Sequence, residues 1–302
     1  MRSFQEVIAR AKAAPKRRIA LACAHSADAL LAVDRAKTEG LAECILFGKK
    51  EEILALEREL GILEERFAIQ DEPDDASAAR AAVAAVSGGQ ADIVMKGHLD
   101  STVFLKAVID REIGLRRPGD VISTTAFLEL PNDRLLFLMD PGFLPNPSLE
   151  DKACMIRNNV AALHRLGLEK PKVAVLSTAE KVNQKVPDSL VCAELQRRNE
   201  AGELTGCLVA GPISMDLAVS EESAKHKHYH HPVAGHADLL IAPNLEVGNT
   251  LLKALQYLGH LKAGGFTTGA AAPIVFTSRS DTAEAKLTAI AFAVLLAEGE
   301  QK

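Results

Sequence analysis

Tryptophan is absent, and aromatic side chains make up only 4% of the 302 residues, so a 48% hydrophobic share falls to Ala, Leu and Val. That is the composition of helices packed on parallel strands, and it excludes both disorder and collagen. Lys and Arg, 35 in all, are outnumbered by 40 Asp and Glu. The net charge is -5, the pI is near 6.0, and no Lys/Arg block is longer than Lys16-Arg17-Arg18, which argues against nucleic acid as a partner. No run approaches the 18 or so apolar residues of a membrane span; the richest late stretch, 289–297, fits a buried helix. The first twenty residues show amphipathic spacing at Phe4, Val7 and Ile8 but no signal-peptide pattern, so no export is expected. Five cysteines, with no CxxC pair among them, read as reduced, mostly buried thiols of a cytoplasmic protein.

What is present is an alternation. Roughly 100 to 200 residues per domain gives two domains. From Arg18 onward, short apolar runs at 19–23, 44–47, 67–69 and 93–95 are each followed by a helix-period segment, near 27–37, 51–60, 75–86 and 102–111. This is the signal of βα units and a parallel sheet. The texture changes at 121–129 and 135–139, two β-rich runs joined by Leu130-Pro131-Asn132-Asp133, which reads as a hairpin. A Pro/Gly-rich loop, 140–147, precedes a helix that Ser148 can cap and Gly167 can stop. Strand candidates then resume at 173–176, 207–210, 239–242 and 274–277, with helices near 189–198, 214–219, 248–258 and 282–296. Two α/β lobes of parallel sheet with flanking helices and an interdomain cleft are expected, a cleft being where small molecules bind.

Four segments carry candidate chemistry at strand ends. In 209–227 a strand ends at Ala210, Gly211-Pro212 turns the chain and Ser214 starts a helix; its free N–H groups make an anion site, or the segment is a plain connection with a capping Ser. In 242–253 Asn249 and Lys253 lie one helical turn apart beside Gly248, either against a ligand or as a cap followed by a surface Lys. In 273–286 a buried strand delivers Thr277, Ser278, Arg279, Ser280 and Asp281, and an Arg so placed grips phosphate bidentately or pairs with a nearby acid. In 92–106 Lys96-Gly97 follows a buried strand and Ser101-Thr102 opens a helix. His25, at the end of the first strand, is as well placed for a ligand contact as for capping or solvent. Five of the nine histidines crowd into 226–236; the tract lacks the HExxH framework of a metal site, and His228, His230 and His231 within it are consistent with an exposed loop.

Taken together, Met95-Lys96-Gly97 with Thr102, Gly211-Pro212-Ile213-Ser214-Met215-Asp216, His231-Pro232-Val233-Ala234-Gly235-His236, Pro243-Asn244 with Gly248-Asn249 and Lys253, and Thr277-Ser278-Arg279-Ser280-Asp281 resemble the phosphate acetyl/butyryltransferase family. The resemblance runs from about Arg18 to Leu296, and TSRSDTAEAKL with GHLKAGGFTTGAAAPIV looks more like the butyryltransferase branch. It implies reversible acyl transfer between a short-chain acyl-CoA and inorganic phosphate, with CoA as substrate and neither metal nor tightly bound cofactor. It also implies a homodimer and a two-domain fold akin to isocitrate and isopropylmalate dehydrogenases. In that fold the C-terminal segment returns to the first domain, so the expected domains are 1–118 plus 270–302, and 119–269, the second dimerising.

On this reading Arg279, Glu284, Asp281 and Ser278 are the catalytic candidates, while Lys96, Thr102, Ser214, Asn249, Lys253, Ser280 and His25 bind substrate or CoA. Arg279 and the Ser214 helix start suit a dianion. A thiol with a pKa near 8.5 needs a base or a cation to attack an acyl phosphate. The acetyltransferase branch places a carboxylate where this chain has Ala285, so Glu284 is expected to substitute, with Asp281 capping the last helix. The alternatives are a phosphate acetyltransferase, an acyl-carrier-dependent phosphate acyltransferase, a metal- and NAD-dependent dehydrogenase of the isopropylmalate type, and a two-lobed solute-binding protein. The dehydrogenase needs an Asp cluster that the sequence lacks, and the binding protein needs export.

Overall fold

The computed structural model describes residues 3–279 and 281–297. The chain divides into two compact units, one built from Phe4–Asp120 together with the stretch that begins at Gly264, the other from Val121–Ala263. In the first unit the order is α1 (Phe4–Ala13), β1 (Arg17–Ala22), α2 (Ala27–Thr38), β2 (Ala42–Gly48), α3 (Lys50–Glu59), β3 (Ala68–Asp71), α4 (Asp75–Ser87), β4 (Ile93–Lys96) and α5 (Ser101–Val108). The second holds β5 (Ser123–Leu130), β6 (Arg134–Met139), α6 (Leu149–Arg165), β7 (Lys172–Leu176), α7 (Pro187–Glu200), β8 (Leu208–Ile213), α8 (Met215–Val219), α9 (Glu221–His226), β9 (Leu239–Ile241) and α10 (Leu245–Tyr257). The chain then returns to the first unit through β10 (Lys262–Thr268), β11 (Ile274–Val275) and α11 (Ala283–Ala297).

The first unit orders its strands β3-β2-β1-β4-β11-β10. All neighbours run parallel except β10 and β11, where Phe266 faces Val275. β1 is apolar on both faces, with Ile19, Ala20, Leu21 and Ala22 fully buried, as a strand covered by helices on each side must be. Helix α4 carries Ala78, Ala79, Ala82 and Val83 on its buried side, small residues that let it lie close to the sheet, and an Asp74/Ser77 capping box fixes where it starts. Phe266 of β10 stacks on Phe292 of α11 with ring centroids 5.6 Å apart, which fastens the returning segment to the unit. At about 1.5–3 kcal/mol for each fully buried large apolar side chain, such contacts are the main favourable term.

In the second unit the order is β5-β6-β9-β7-β8. β5 and β6 form the expected hairpin, pairing Leu130 with Arg134, and the remaining neighbours are parallel. Ser148 and Asp151 cap α6 reciprocally, and α6 is tied to α7 by the ion pair of the buried Lys152 with Asp188. The end of β8 differs from the expected turn. β8 does not end at Ala210: it continues through Gly211 and Pro212 to Ile213. Gly211 is needed because a Cβ there would lie 2.8 Å from the Cys192 carbonyl oxygen, and its N–H is satisfied by Gln196 Oε1 at 2.9 Å. Pro212 is tolerated because β8 ends the strand order, where a missing donor breaks no ladder. His226 closes α9, which Ser220 caps, and His228, His230 and His231 follow it outside any helix or strand.

Candidate active site

Four segments of the first unit converge around the carboxyl end of β4. Gly97 follows Lys96 and passes so close to the turn after β1 that a Cβ would stand 2.3 Å from the Cys23 carbonyl oxygen and 2.4 Å from that of Ala22. Only glycine permits that approach, and the Gly97 and His98 N–H groups use it to bond Ala22 O at 2.8 Å and Cys23 O at 3.0 Å. Cys23 itself adopts φ 54°, the left-handed region, to turn the chain toward His25. The His25 ring meets His98 edge-on at 5.6 Å, and its Nδ1 is buried without a hydrogen-bond partner among the described residues.

Lys96 is 2% exposed. Burial, then the positive charges of Arg279 and Lys286, bring its ammonium down from the ordinary 10.5 to about 8; Asp100 and Cys23 oppose the drop. Asp100 caps α5, accepting the Thr102 N–H at 2.7 Å, and that bond holds its carboxyl below the usual range. Thr102 is exposed in the first turn of α5.

The loop after β11 carries Arg279, and it is pinned from beneath. The Ser278 N–H donates to Asp281 Oδ2 at 2.8 Å, and the buried Lys286 ammonium donates to the carbonyl oxygens of Ser278 and Asp281 at 2.9 and 2.6 Å. Thr277 is buried and its Oγ1 has no hydrogen-bond partner among the described residues, while Arg279 is exposed. Asp281 does not cap the last helix. Thr282 does, accepting the Ala285 N–H at 3.3 Å, and Asp28 of α2 accepts the Ala283 N–H at 3.2 Å. Glu284 is exposed in the first turn of α11. Ser280 lies outside the described residues.

The remaining candidates belong to the second unit. The Ser214 hydroxyl donates to Asp216 Oδ1 at 2.7 Å instead of bonding a helix N–H, and Lys227, 2.8 Å from Asp216, brings that carboxyl down to about 2. The helix it opens, α8, is only five residues long and carries this carboxylate at its start. Asn249 Nδ2 donates to the Pro141 carbonyl oxygen at 2.9 Å, and Gly248 abuts the Asp140 carbonyl, where a Cβ would be 2.5 Å away. Lys253 lies 3.3 Å from Gln256 Oε1 and over the Tyr257 ring. Asn249 therefore holds the 140–147 loop.

Two residues that shape these sites were not singled out from sequence. Lys286 is the lone cation among the apolar residues of α11, which is itself a legible signal. Asp140, 2% exposed, gathers four N–H groups, those of Gly142 at 2.7 Å, Phe143 at 2.8 Å, Leu144 at 3.2 Å and Thr124 at 3.1 Å; burial still pushes its carboxyl up to about 6. All five cysteines are buried, and burial pushes the thiols of Cys192 and Cys207 up to about 12 and about 11. Among the described residues no three His, Cys, Asp or Glu side chains cluster as a metal site, and no helix is long and apolar enough to cross a membrane.

A family model described as phosphate acetyl/butaryl transferase matches residues 75–294. The phosphate butyryltransferase of Clostridium acetobutylicum is 41% identical over 298 residues, covering 98% of this chain and 99% of that protein. The phosphate acetyltransferase of Thermotoga maritima is 40% identical over 282 residues, 93% and 95% of the two. A branched-chain phosphotransacylase from Enterococcus faecalis superposes with a TM-score of 0.83 at 32% identity, covering 93% of this chain and 99% of that one. The chain belongs to the phosphate acetyl/butyryltransferase family.

Proposed function

We propose that this chain transfers a short acyl group, butyryl by preference, between coenzyme A and inorganic phosphate: acyl phosphate plus CoA thiol gives acyl-CoA plus hydrogen phosphate, and the reverse. The observation that carries the reading is the buried Lys96 side chain, whose charge feels that of Arg279 on a loop braced by Lys286. A dianionic phosphate suits such a pair of cations. Arg279 offers a planar fork for two phosphate oxygens, and the Ser278 and Thr277 hydroxyls stand beside it in the chain. Lys96 and Thr102 hold the same anion from β4 and the start of α5, with His25 at the neighbouring strand end. Ser214, Asn249 and Lys253 serve CoA from the second unit, Asn249 by fixing the 140–147 loop.

With this reading go a cytoplasmic homodimer, a dehydrogenase-type two-domain fold, and a reaction that needs no metal and no tightly bound cofactor. Purified protein given phosphate and a panel of C2 to C6 acyl-CoA substrates should release free thiol fastest from butyryl-CoA, with no effect of EDTA. Fastest release from acetyl-CoA would support the phosphate acetyltransferase reading, which the Thermotoga relative favours. No release from any of them would sink acyl transfer altogether.

A further inference from the structure

The transfer moves a proton as well as an acyl group, and the ionisable side chains around Lys96 differ in how free they are to carry it. The Asp281 carboxylate accepts the Ser278 N–H, and the Asp100 carboxylate accepts the Thr102 N–H. The Lys286 ammonium is spent on the carbonyl oxygens of Ser278 and Asp281. Cys23 donates its thiol to the Asp75 carbonyl oxygen at 3.6 Å, and burial pushes that thiol up, so it keeps its proton. Lys96 differs from all of these: its side chain is 2% exposed, and it makes no hydrogen bond or ion pair among the described residues.

We propose that Lys96 is the proton relay of the acyl transfer, a catalytic residue that touches both the attacking and the leaving group. This rests on the acyl-transfer reading above. In the direction of thioester synthesis the neutral amine takes the thiol proton as the C–S bond forms. The C–O bond to phosphate breaks, and the resulting ammonium gives the proton to the departing phosphate oxygen, leaving hydrogen phosphate. In reverse, the amine takes the proton of hydrogen phosphate and returns it to the departing thiolate. No proton is lost to solvent in either direction, and no carboxylate is needed at Ala285.

The charges that face Lys96 are those of Arg279, Lys286 and Asp100, with Cys23 as the neighbouring thiol. With burial, the two cations bring its proton affinity down to about 8, so a usable share of amine exists at neutral pH. A lysine paired with a carboxylate would have no such share.

The test follows thiol release from butyryl-CoA and phosphate, the direction in which the CoA thiol is not a substrate. Wild-type release is measured first; its absence rejects the acyl-transfer reading and, with it, the relay. Given that activity, Lys96→Arg keeps the charge and loses the ability to give it up, so kcat should fall about 10²- to 10⁴-fold. Lys96→Ala should be rescued by methylamine or ethylamine added to the assay, an effect that a purely electrostatic or structural role would not show. The wild-type rate should rise with pH toward 8, and that limb should vanish in Lys96→Arg. The proposal is overturned if Lys96→Arg keeps its rate within threefold. It is overturned too if Lys96→Ala, folded by circular dichroism, gains nothing from added amine, or if Glu284→Gln alone reproduces the loss and removes the pH limb.

Discussion

Replacing Lys96 by Met should make the protein more stable while disabling it. The two side chains are of similar length, and the site is 2% exposed, so the exchange removes a charge rather than a contact. Bringing an ammonium down from 10.5 to about 8 corresponds, at about 1.4 kcal/mol per pH unit, to about 3 kcal/mol held against the folded state at neutral pH. At about 2–4 °C per kcal/mol, Lys96→Met should melt roughly 6–12 °C above wild type at pH 7. The sign of the pH dependence is fixed. A lysine whose folded pKa is depressed destabilises the fold below that value, and the penalty fades as the pH rises through 8 toward 10.5. The gap between the two melting curves should therefore close between pH 7 and pH 10. Saturating phosphate should raise the wild-type melting temperature, since a ligand that binds only the folded state stabilises it, and should raise that of Lys96→Met by less. Calorimetry at pH 7, 8.5 and 10, with and without phosphate, measures all three effects. A Lys96→Met protein that melts at or below wild type at pH 7, or whose advantage is the same at pH 10, refutes the reasoning.

Three further outcomes follow from the site geometry. Arg279→Lys keeps a charge but loses the fork, and at about 1.5–3 kcal/mol per charged hydrogen bond kcat/KM in the thiol-release assay should drop 10- to 100-fold; near wild-type kinetics would put the phosphate elsewhere. Gly97→Ala should lower the melting temperature by several degrees, because its Cβ would press on backbone carbonyl oxygens at 2.3 and 2.4 Å, and an unchanged melt would contradict the close approach. Asp140→Asn sets an NH2 against N–H donors and should destabilise by about 1–3 kcal/mol at pH 7 in denaturant titrations. With its folded pKa raised to about 6, the wild-type carboxyl contributes stability that is fully present below pH 4 and lost as pH rises through 6; the gain on acidifying from pH 7 to 5 should disappear in Asp140→Asn.

The βα alternation was legible because a strand covered on both faces must be a short apolar run, and such runs at 19–23 and 93–95 stand where β1 and β4 form. β10 was not, since Gly264 and Gly265 give KAGGFTT neither the branched side chains nor the alternation of a strand; neighbouring strands supply what its own residues do not. Gly211-Pro212 reads as a turn by the usual chemistry of that dipeptide, yet close packing against Cys192 makes it part of β8. Arg279 and Lys96 could be singled out by their places at strand ends. The roles of their neighbours could not, because those depend on contacts between distant segments: Ser214 turns to Asp216, Asn249 to Pro141, and Lys286 reaches back to the Arg279 loop.

The Asp28 carboxylate that receives the Ala283 N–H reaches across 255 positions of sequence. During synthesis the ribosome has therefore finished the whole of Val121–Ala263 before the first unit can complete its strand order. Until β11 emerges, β4 has β1 on one flank and an unpaired edge on the other. The contiguous middle of the chain can thus fold as translation proceeds, while the flanking unit waits for the stretch that begins at Gly264, the slow kind of long-range closure. Lys96 and Arg279 meet only at that step, so a nascent chain carries no assembled cation group until β11 and the loop after it have been made.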